Sequence, residues 1–122
     1  MAGSSGSLHE SEAVLKPETI DRHRAVVSIM EELEAVDWYD QRIDAAGDRE
    51  LKEILAHNRD EEKEHASMML EWLRRHDATL DRHLRTYLFT DKSVLEIEEA
   101  AEGKDGGGSN DDGSLRIGSL RP

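Results

Sequence analysis

The sequence predicts an all-α protein built on an antiparallel pair of long helices, followed by shorter helices. Three observations support this fold class. Two long intervals lack both Gly and Pro, from residue 18 to residue 46 and from residue 48 to residue 102. Apolar side chains recur within them at spacings of three and four residues, the period of a helix packed on one face. Residues that favour helix starts, Pro17 and Asp48, open the two intervals.

The first helix is predicted to begin at Pro17 and to run for roughly 30 residues. Proline suits the first turn because it has no N–H group to leave unpaired, and Glu18 favours the positive end of the helix. Gly47 is expected to take the left-handed conformation that often ends a helix. Asp48 then caps a second helix that ends near Arg75, and so short a connection makes the pair an antiparallel hairpin.

Two shorter helices are predicted after the hairpin. Asp77 can cap a third helix that reaches Leu88, and Ser93 can start a fourth that ends near Ala101. From Gly103 onward the chain becomes rich in Gly, Ser and Asp, a composition typical of a solvated linker. The predicted organisation is a disordered N-terminus over 1–8, a helical domain over 9–101, a flexible linker over 102–112 and a C-terminal peptide over 113–122.

The composition indicates a chain with a thin core and a strong preference for cations. Only 36% of the 122 residues are hydrophobic, so self-association is expected. The formal charge of −12 disfavours nucleic acid and anionic membrane surfaces. No apolar run is long enough for a membrane span and no signal peptide is evident, which predicts a cytoplasmic protein. Because the chain has no cysteine, any metal site must use carboxylates and imidazoles.

Each long helix carries one apolar seam, and both seams contain ionisable residues. Glu32 lies in the middle of the first seam, while Glu62 and His65 lie on the second with apolar residues on both sides. The first seam consists of Ala25, Ile29, Glu32, Val36, Tyr39 and Ile43. The second consists of Leu51, Leu55, Asn58, Glu62, His65, Met69 and Trp72.

Metal binding would use all three of these seam residues. A buried unpaired carboxylate costs several kcal/mol, so buried charges are usually neutralised, paired or bound to metal. A Glu-x-x-His pair with a Glu from a neighbouring helix is the ligand set of ferritin-like bundles, and these donors suit Fe(II), although Mn and Zn would also bind. Two hairpins around a two-fold axis would complete a di-iron centre in a ferritin-like four-helix bundle. The predicted reaction is oxidation of Fe(II) with oxygen or peroxide as acceptor.

The alternative is a solvated face without metal. A chain with 16 Glu and six His is expected to contain about one Glu-x-x-His pair by chance. In that case Glu62 pairs with Arg59 or Lys63, and His65 is an ordinary, partly buried histidine. The corresponding function is a non-catalytic acidic helical adaptor that binds divalent metals loosely, and a different di-metal oxidase also stays open.

Further acidic groups lie beside the seams, where spacing alone favours ordinary solvated faces. Glu31, Glu34 and Trp38 share one face of the first helix, and the tryptophan there suggests a subunit interface. On the second helix a weaker metal site is conceivable at His57, Glu61 and Glu64.

The C-terminal peptide, residues 113–122, contains Gly-Ser-Leu-Arg twice. Leu115, Ile117 and Leu120 follow a polar linker, a layout that suits a short docking peptide.

Several segments resemble the encapsulated ferritins, which are cargo proteins of bacterial encapsulin nanocompartments. The resemblance covers about residues 9–100 and is carried by 30–42, 57–65, 71–75 and 85–90, and the tail resembles an encapsulin-targeting peptide. It implies a ferroxidase whose protomers pair at a di-iron centre and assemble into a ring, typically a decamer, inside an encapsulin shell that stores the iron. By this resemblance Glu32, Glu62 and His65 match the ferroxidase ligands and Tyr39 lies beside them. Metal would enter past Glu31, Glu34 and Trp38, and bind at a peripheral face of His57, Glu61 and Glu64.

Overall fold

The chain is all-α, as predicted. A computed structural model describes residues 6–107 and shows four α-helices after a short 3-10 turn, with no strand in that range. The turn spans Glu12–Val14, α1 spans Pro17–Ala45, α2 spans Arg49–Arg75, α3 spans Ala78–Tyr87 and α4 spans Val94–Gly107. None of the helices within these residues is both long and apolar enough to cross a lipid bilayer.

The connection between α1 and α2 differs from the prediction at its glycine. Gly47 does not adopt a left-handed conformation, since no described glycine has a positive φ. Ala46 is extended at φ −71° and ψ 142°, and its N–H group donates to the Arg42 carbonyl at 2.9 Å. An extended Ala46 redirects the chain, so Gly47 need not supply the turn. The predicted cap of α2 is confirmed, because Asp48 Oδ2 accepts from the Leu51 N–H group at 2.9 Å.

The two long helices form an antiparallel hairpin. Asp40 near the end of α1 contacts Arg59 in the first half of α2, and Glu32 in the middle of α1 contacts His65 further along α2. Residue numbers that fall along one helix while they rise along its neighbour define an antiparallel pair. The hairpin therefore places the centres of both predicted seams side by side.

Among the described residues, a second compact unit begins at Arg74. Asp77 caps α3 as predicted, accepting from the Leu80 N–H group at 2.9 Å. Asp81 accepts hydrogen bonds from Arg74 and Arg85, and the Arg74 bond in particular holds the pKa of that carboxyl below its ordinary value.

Helix α4 is longer than predicted. It was expected to end near Ala101 but continues to Gly107, into the segment assigned to the linker. Backbone hydrogen bonds alone can extend a helix by a turn, because each added residue closes one bond after nucleation. The rest of the predicted linker and the predicted peptide 113–122 lie outside the described residues.

Ordered structure also appears before α1. Ser11 caps the Glu12–Val14 turn by accepting from the Ala13 N–H group at 3.3 Å. Residues 1–5 of the predicted N-terminal segment 1–8 lie outside the described part.

The described residues bury few apolar side chains. Three of the four buried ones are alanines, at 25, 66 and 101, and the fourth is Leu73. Large apolar side chains on the hairpin are instead about half exposed, including Val26, Leu33, Leu51, Ile54 and Met68. So much open apolar surface favours association with another protein surface.

Candidate metal centre

Three side chains of types that can bind metal ions meet at the centre of the hairpin. Glu32 comes from the middle of α1, while α2 supplies Glu62 and His65, three residues apart on one helical face. His65 Nδ1 lies 3.4 Å from Glu32 Oε1 and 3.7 Å from Glu62 Oε1. One ligand atom from each residue lies within 4.8 Å of the others. Within the part of the chain whose side chains are described, no other set of three His, Asp or Glu residues converges in this way.

Glu32 carries an unsatisfied carboxylate oxygen. Its Oε1 atom is buried and has no hydrogen-bond partner, although His65 Nδ1 lies only 3.4 Å away. A buried polar atom without a partner costs about 1–3 kcal/mol, so such atoms usually mark a bound water, ion or functional group. A metal ion coordinated by Oε1 would remove that cost.

The electrostatics of the cluster also favour a cation. Burial raises the pKa of Glu32, and the adjacent Glu62 carboxyl raises it further. His65 opposes this rise, but does not cancel it. Two adjacent carboxylates resist simultaneous ionisation unless a positive charge lies between them. The donor set of two carboxylates and one imidazole therefore fits a divalent transition metal.

The arginine that could have paired with Glu62 is engaged elsewhere. Arg59 Nη1 lies 3.0 Å from Asp40 Oδ1 and its Nε lies 3.0 Å from Asp60 Oδ1. Lys63 Nζ approaches Asp60 at 3.9 Å. Glu62 thus has neither of the ion pairs that the solvated-face alternative requires. The position of Arg59 was not predicted, since its partner Asp40 is 19 residues away in sequence.

Comparison with known proteins gives the context of this geometry. The profile of the EncFtn-like family matches residues 7–91, which include both long helices and all three clustered side chains. The chain belongs to the EncFtn-like family. The resemblance to encapsulated ferritins that the sequence indicated is therefore confirmed.

Relatives of this EncFtn-like chain share most of its length. It is 61% identical to the "Encapsulated ferritin-like protein" of Rhodospirillum rubrum, over 99% of this chain and 92% of the relative. It is 50% identical to the "Ferritin-like protein" of Thermotoga maritima, over 89% of this chain and 93% of the relative. The crystal structure of protein ne0167 from Nitrosomonas europaea is 58% identical and superposes with a TM-score of 0.70, covering 72% of this chain and 97% of that one.

Trp38 and Tyr39, the two aromatic residues predicted to belong to the site, both lie close to the guanidinium of Arg42. The Arg42 guanidinium carbon lies 5.5 Å from the Tyr39 ring centre and 5.9 Å from the Trp38 ring centre. Among the described residues Tyr39 makes no hydrogen bond to Glu32. Arg42 was not singled out by the sequence, although its spacing of three and four residues from the two rings places all three on one face.

The remaining acidic candidates do not form closed clusters within one chain. His57 Nε2 lies 3.2 Å from Glu61 Oε2, and both side chains are largely exposed. Glu64 and Glu31 are exposed and Glu34 is half-buried, and none of the three joins a converging group of ligands in the described residues. A metal at either face would need ligands from another copy or from water.

Proposed function

We propose that this chain is a ferroxidase that oxidises Fe(II) to Fe(III) at a di-iron centre shared by two copies. The observation that carries the proposal is the convergence of Glu32, Glu62 and His65 around an unsatisfied, buried carboxylate oxygen. Membership of the EncFtn-like family and the ferritin-like names of the relatives support an iron-related role.

One hairpin supplies half of a di-iron site. Ferritin-like centres use two helices that give a Glu and two that give Glu-x-x-His. A second copy related by a two-fold axis would bring the ligands to four carboxylates and two imidazoles. The side chain of His65 is 46% exposed, so the cluster is open to such a partner. The dimer would extend to a ring, which we expect to be a decamer.

The protein residues hold and pair the substrate ions. Two Fe(II) ions lose one electron each, and the oxidant, oxygen or peroxide, takes up both electrons. The carboxylates of Glu32 and Glu62 bind the ions and offset their charge, while His65 binds through a neutral ring nitrogen. Tyr39 is proposed to help position the site from the next turn of α1.

Iron reaches and leaves the centre along acidic surfaces in this proposal. Glu31, Glu34 and Trp38 form the path by which Fe(II) enters, and the outer face of His57, Glu61 and Glu64 binds metal more weakly. Exposed carboxylates attract hydrated cations without holding them tightly. Fe(III) then passes to a mineral that forms outside the protein.

The mineral is proposed to form inside an encapsulin shell in the bacterial cytoplasm. The name of the Rhodospirillum rubrum relative describes it as encapsulated, and residues 113–122 carry the Gly-Ser-Leu-Arg repeat that suits a docking peptide. The shell would provide the storage volume that a helical hairpin lacks.

Anaerobic loading with Fe(II) followed by oxygen tests the activity. Ultraviolet absorbance should rise rapidly in the wild type and stay near the uncatalysed rate in Glu32→Gln, which keeps the size of the side chain but removes its charge. Glu53→Gln is the matched control, because Glu53 is an exposed carboxylate of α2 outside the cluster. Equal rates in all three proteins would instead favour the acidic adaptor.

A further inference from the structure

Arg82, in the middle of α3, has a side chain whose charge is not paired within the chain. The residue is partly buried, and its Nε atom is buried without a hydrogen-bond partner. Across the described residues 6–107, its guanidinium forms no ion pair with any carboxylate. Buried donors and partly buried charges are usually paired, because loss of hydration is otherwise uncompensated. An unpaired arginine in a chain of net charge −12 therefore points to an anionic ligand.

Arg85 supplies further free donors on the same side of α3. It lies three residues after Arg82, a spacing that places two side chains on one face of a helix. Its Nε atom lies 2.9 Å from Asp81 Oδ1 and 3.1 Å from Asp81 Oδ2. Its Nη groups make no hydrogen bond to the described residues, and the side chain is 56% exposed. Arg85 can therefore hold Asp81 and bind a second anionic group at once.

The nearest carboxylate, Asp81, is already occupied. Arg74 and Arg85 both donate to it, and the Arg74 bond in particular holds the pKa of this carboxyl below its ordinary value. Asp77, the other acidic residue of segment 74–87, caps the start of α3. The three arginines around Asp81, which include Arg82, exceed this carboxylate by two positive charges. The excess is local, because it depends on which side of α3 the groups occupy.

The acidic residues that follow α3 do not compensate this excess. Glu98 and Glu102 lie near Tyr87, since burial first and then these two carboxylates raise the pKa of its hydroxyl. Tyr87 comes five residues after Arg82, about 140° around the helix, so it projects from a different side of α3. Of the acidic side chains described after α3, none forms an ion pair with either Arg82 or Arg85: Asp91, Glu96, Glu98, Glu99 and Glu102.

We infer that Arg82 and Arg85 bind an oxyanion, and that inorganic phosphate is the ion that suits them. A planar guanidinium donates two parallel hydrogen bonds to a phosphate group, and two arginines on one helix face can hold it from two directions. Because no contact fixes the Arg82 guanidinium, it can turn its Nε and Nη donors toward the ion. Phosphate carries up to two negative charges, which match the local excess. The site contains no residue of the metal cluster and does not depend on the proposed oxidation.

Equilibrium dialysis of the metal-free full chain against radiolabelled inorganic phosphate tests the site. The chelator is removed beforehand, so that neither bound metal nor chelator interferes. Arg82→Gln and Arg85→Gln should each raise the Kd for phosphate by roughly ten-fold or more, as expected when charged hydrogen bonds are lost. Arg49→Gln is the matched control and should bind like the wild type, because Arg49 is an exposed arginine that contacts only Glu53 on its own helix.

Competition experiments define the class of ligand. Sulfate should displace phosphate, because it is also a tetrahedral dianion, whereas acetate at the same ionic strength should displace much less. Acetate that competes as well as sulfate would overturn the inference, since the site would then suit a carboxylate.

The two variants keep the inference falsifiable whether or not Arg82 also supports the fold. Arg85 is exposed, so Arg85→Gln should keep its helical circular dichroism even if Arg82→Gln does not. Equal phosphate affinity of the wild type and the folded variants, or a wild type that binds no phosphate at millimolar concentrations, would overturn the inference. So would an Arg82→Gln chain that loses self-association while the wild type binds no phosphate, because the partner of Arg82 would then be a second copy.

Discussion

The guanidinium of Arg59 bridges the two long helices by contacting Asp40 at 3.0 Å. Arg59 lies one turn before Glu62 on α2, and Asp40 lies near the end of α1. The same guanidinium also contacts Asp60 at 3.0 Å, and both acidic partners raise the pKa of Arg59. This ion pair is one of the contacts between the two helices in the register that brings Glu62 and His65 opposite Glu32.

Removing the Arg59–Asp40 pair should loosen the hairpin and weaken its metal site. Solvent weakens exposed ion pairs, and Asp40 is about half exposed, so Arg59→Ala should lower the free energy of unfolding only slightly. A double-mutant cycle with Asp40→Ala, measured by urea unfolding, isolates the pair. Arg49→Ala is the control, because its partner Glu53 lies on the same helix. Additive effects in the cycle would show that Arg59 and Asp40 do not stabilise the hairpin through each other.

Glu32→Gln should stabilise the metal-free chain even though it removes a proposed metal ligand. The raised pKa of Glu32 means that the folded metal-free state binds its proton more tightly than the unfolded state does. The protonated Glu32 carboxyl therefore adds to the free energy of unfolding. This contribution is present in full at pH values below the ordinary pKa of 4.5, and it is lost as pH rises through the raised pKa. At neutral pH glutamine avoids this loss, so the Tm of the metal-free chain should be higher for Glu32→Gln than for the wild type.

Calorimetry in chelator at pH 7 and below pH 4.5 measures this difference. The advantage of Glu32→Gln should be present at neutral pH and absent in acid, because the wild-type carboxyl is then protonated. Glu53→Gln should show no such dependence. A wild type that is more stable than Glu32→Gln at neutral pH in the absence of metal would contradict the electrostatic account of the cluster.

Metal binding should weaken with acid at a higher pH than for ordinary surface carboxylates. A metal ion competes with the proton on Glu32, and the raised pKa of that carboxyl extends the competition upward in pH. Titration with Co(II), followed by its visible absorption, should show affinity falling steadily as pH is lowered, with protons released on binding. A Co(II) affinity that does not change as pH is lowered would mean that Glu32 is not a ligand.

Metal should promote the dimer that shares the cluster. If two copies of the chain together hold two metal ions, metal binding stabilises the dimer over the monomer by mass action. Analytical ultracentrifugation of the full chain, with and without Co(II), should show more dimer when metal is present, at two ions per dimer. His65→Ala should show no response to metal. Numerous weak sites and an unchanged sedimentation coefficient would favour the acidic adaptor.

Deleting residues 113–122 should prevent packaging and leave oxidation intact. The peptide is separated in sequence from every residue of the metal cluster, so the truncated chain should oxidise Fe(II) at the wild-type rate. Co-expression with an encapsulin shell, followed by purification of the shells, measures packaging. Shells that contain the truncated chain at wild-type levels would show that another segment directs loading.

The sequence by itself determined the features of this protein that depend on neighbours within a few residues. Helix starts at Pro17, Asp48 and Asp77 were readable because proline and carboxylate caps act locally on the first turn. The pairing of Glu62 with His65 was equally readable, since a spacing of three residues on a helix places two side chains on one face. Gly47 was predicted wrongly because the backbone of Ala46, one residue earlier, had already redirected the chain.

Only the tertiary structure decided the features that depend on contacts between distant residues. The approach of Glu32 to His65, the buried and unsatisfied Oε1 and the choice of Asp40 as the partner of Arg59 all follow from the register of two packed helices. Periodicity indicates which face of a helix is packed, but not which residue lies opposite. That register is set by the sum of many weak contacts along the hairpin, so it emerges only when both helices are in place.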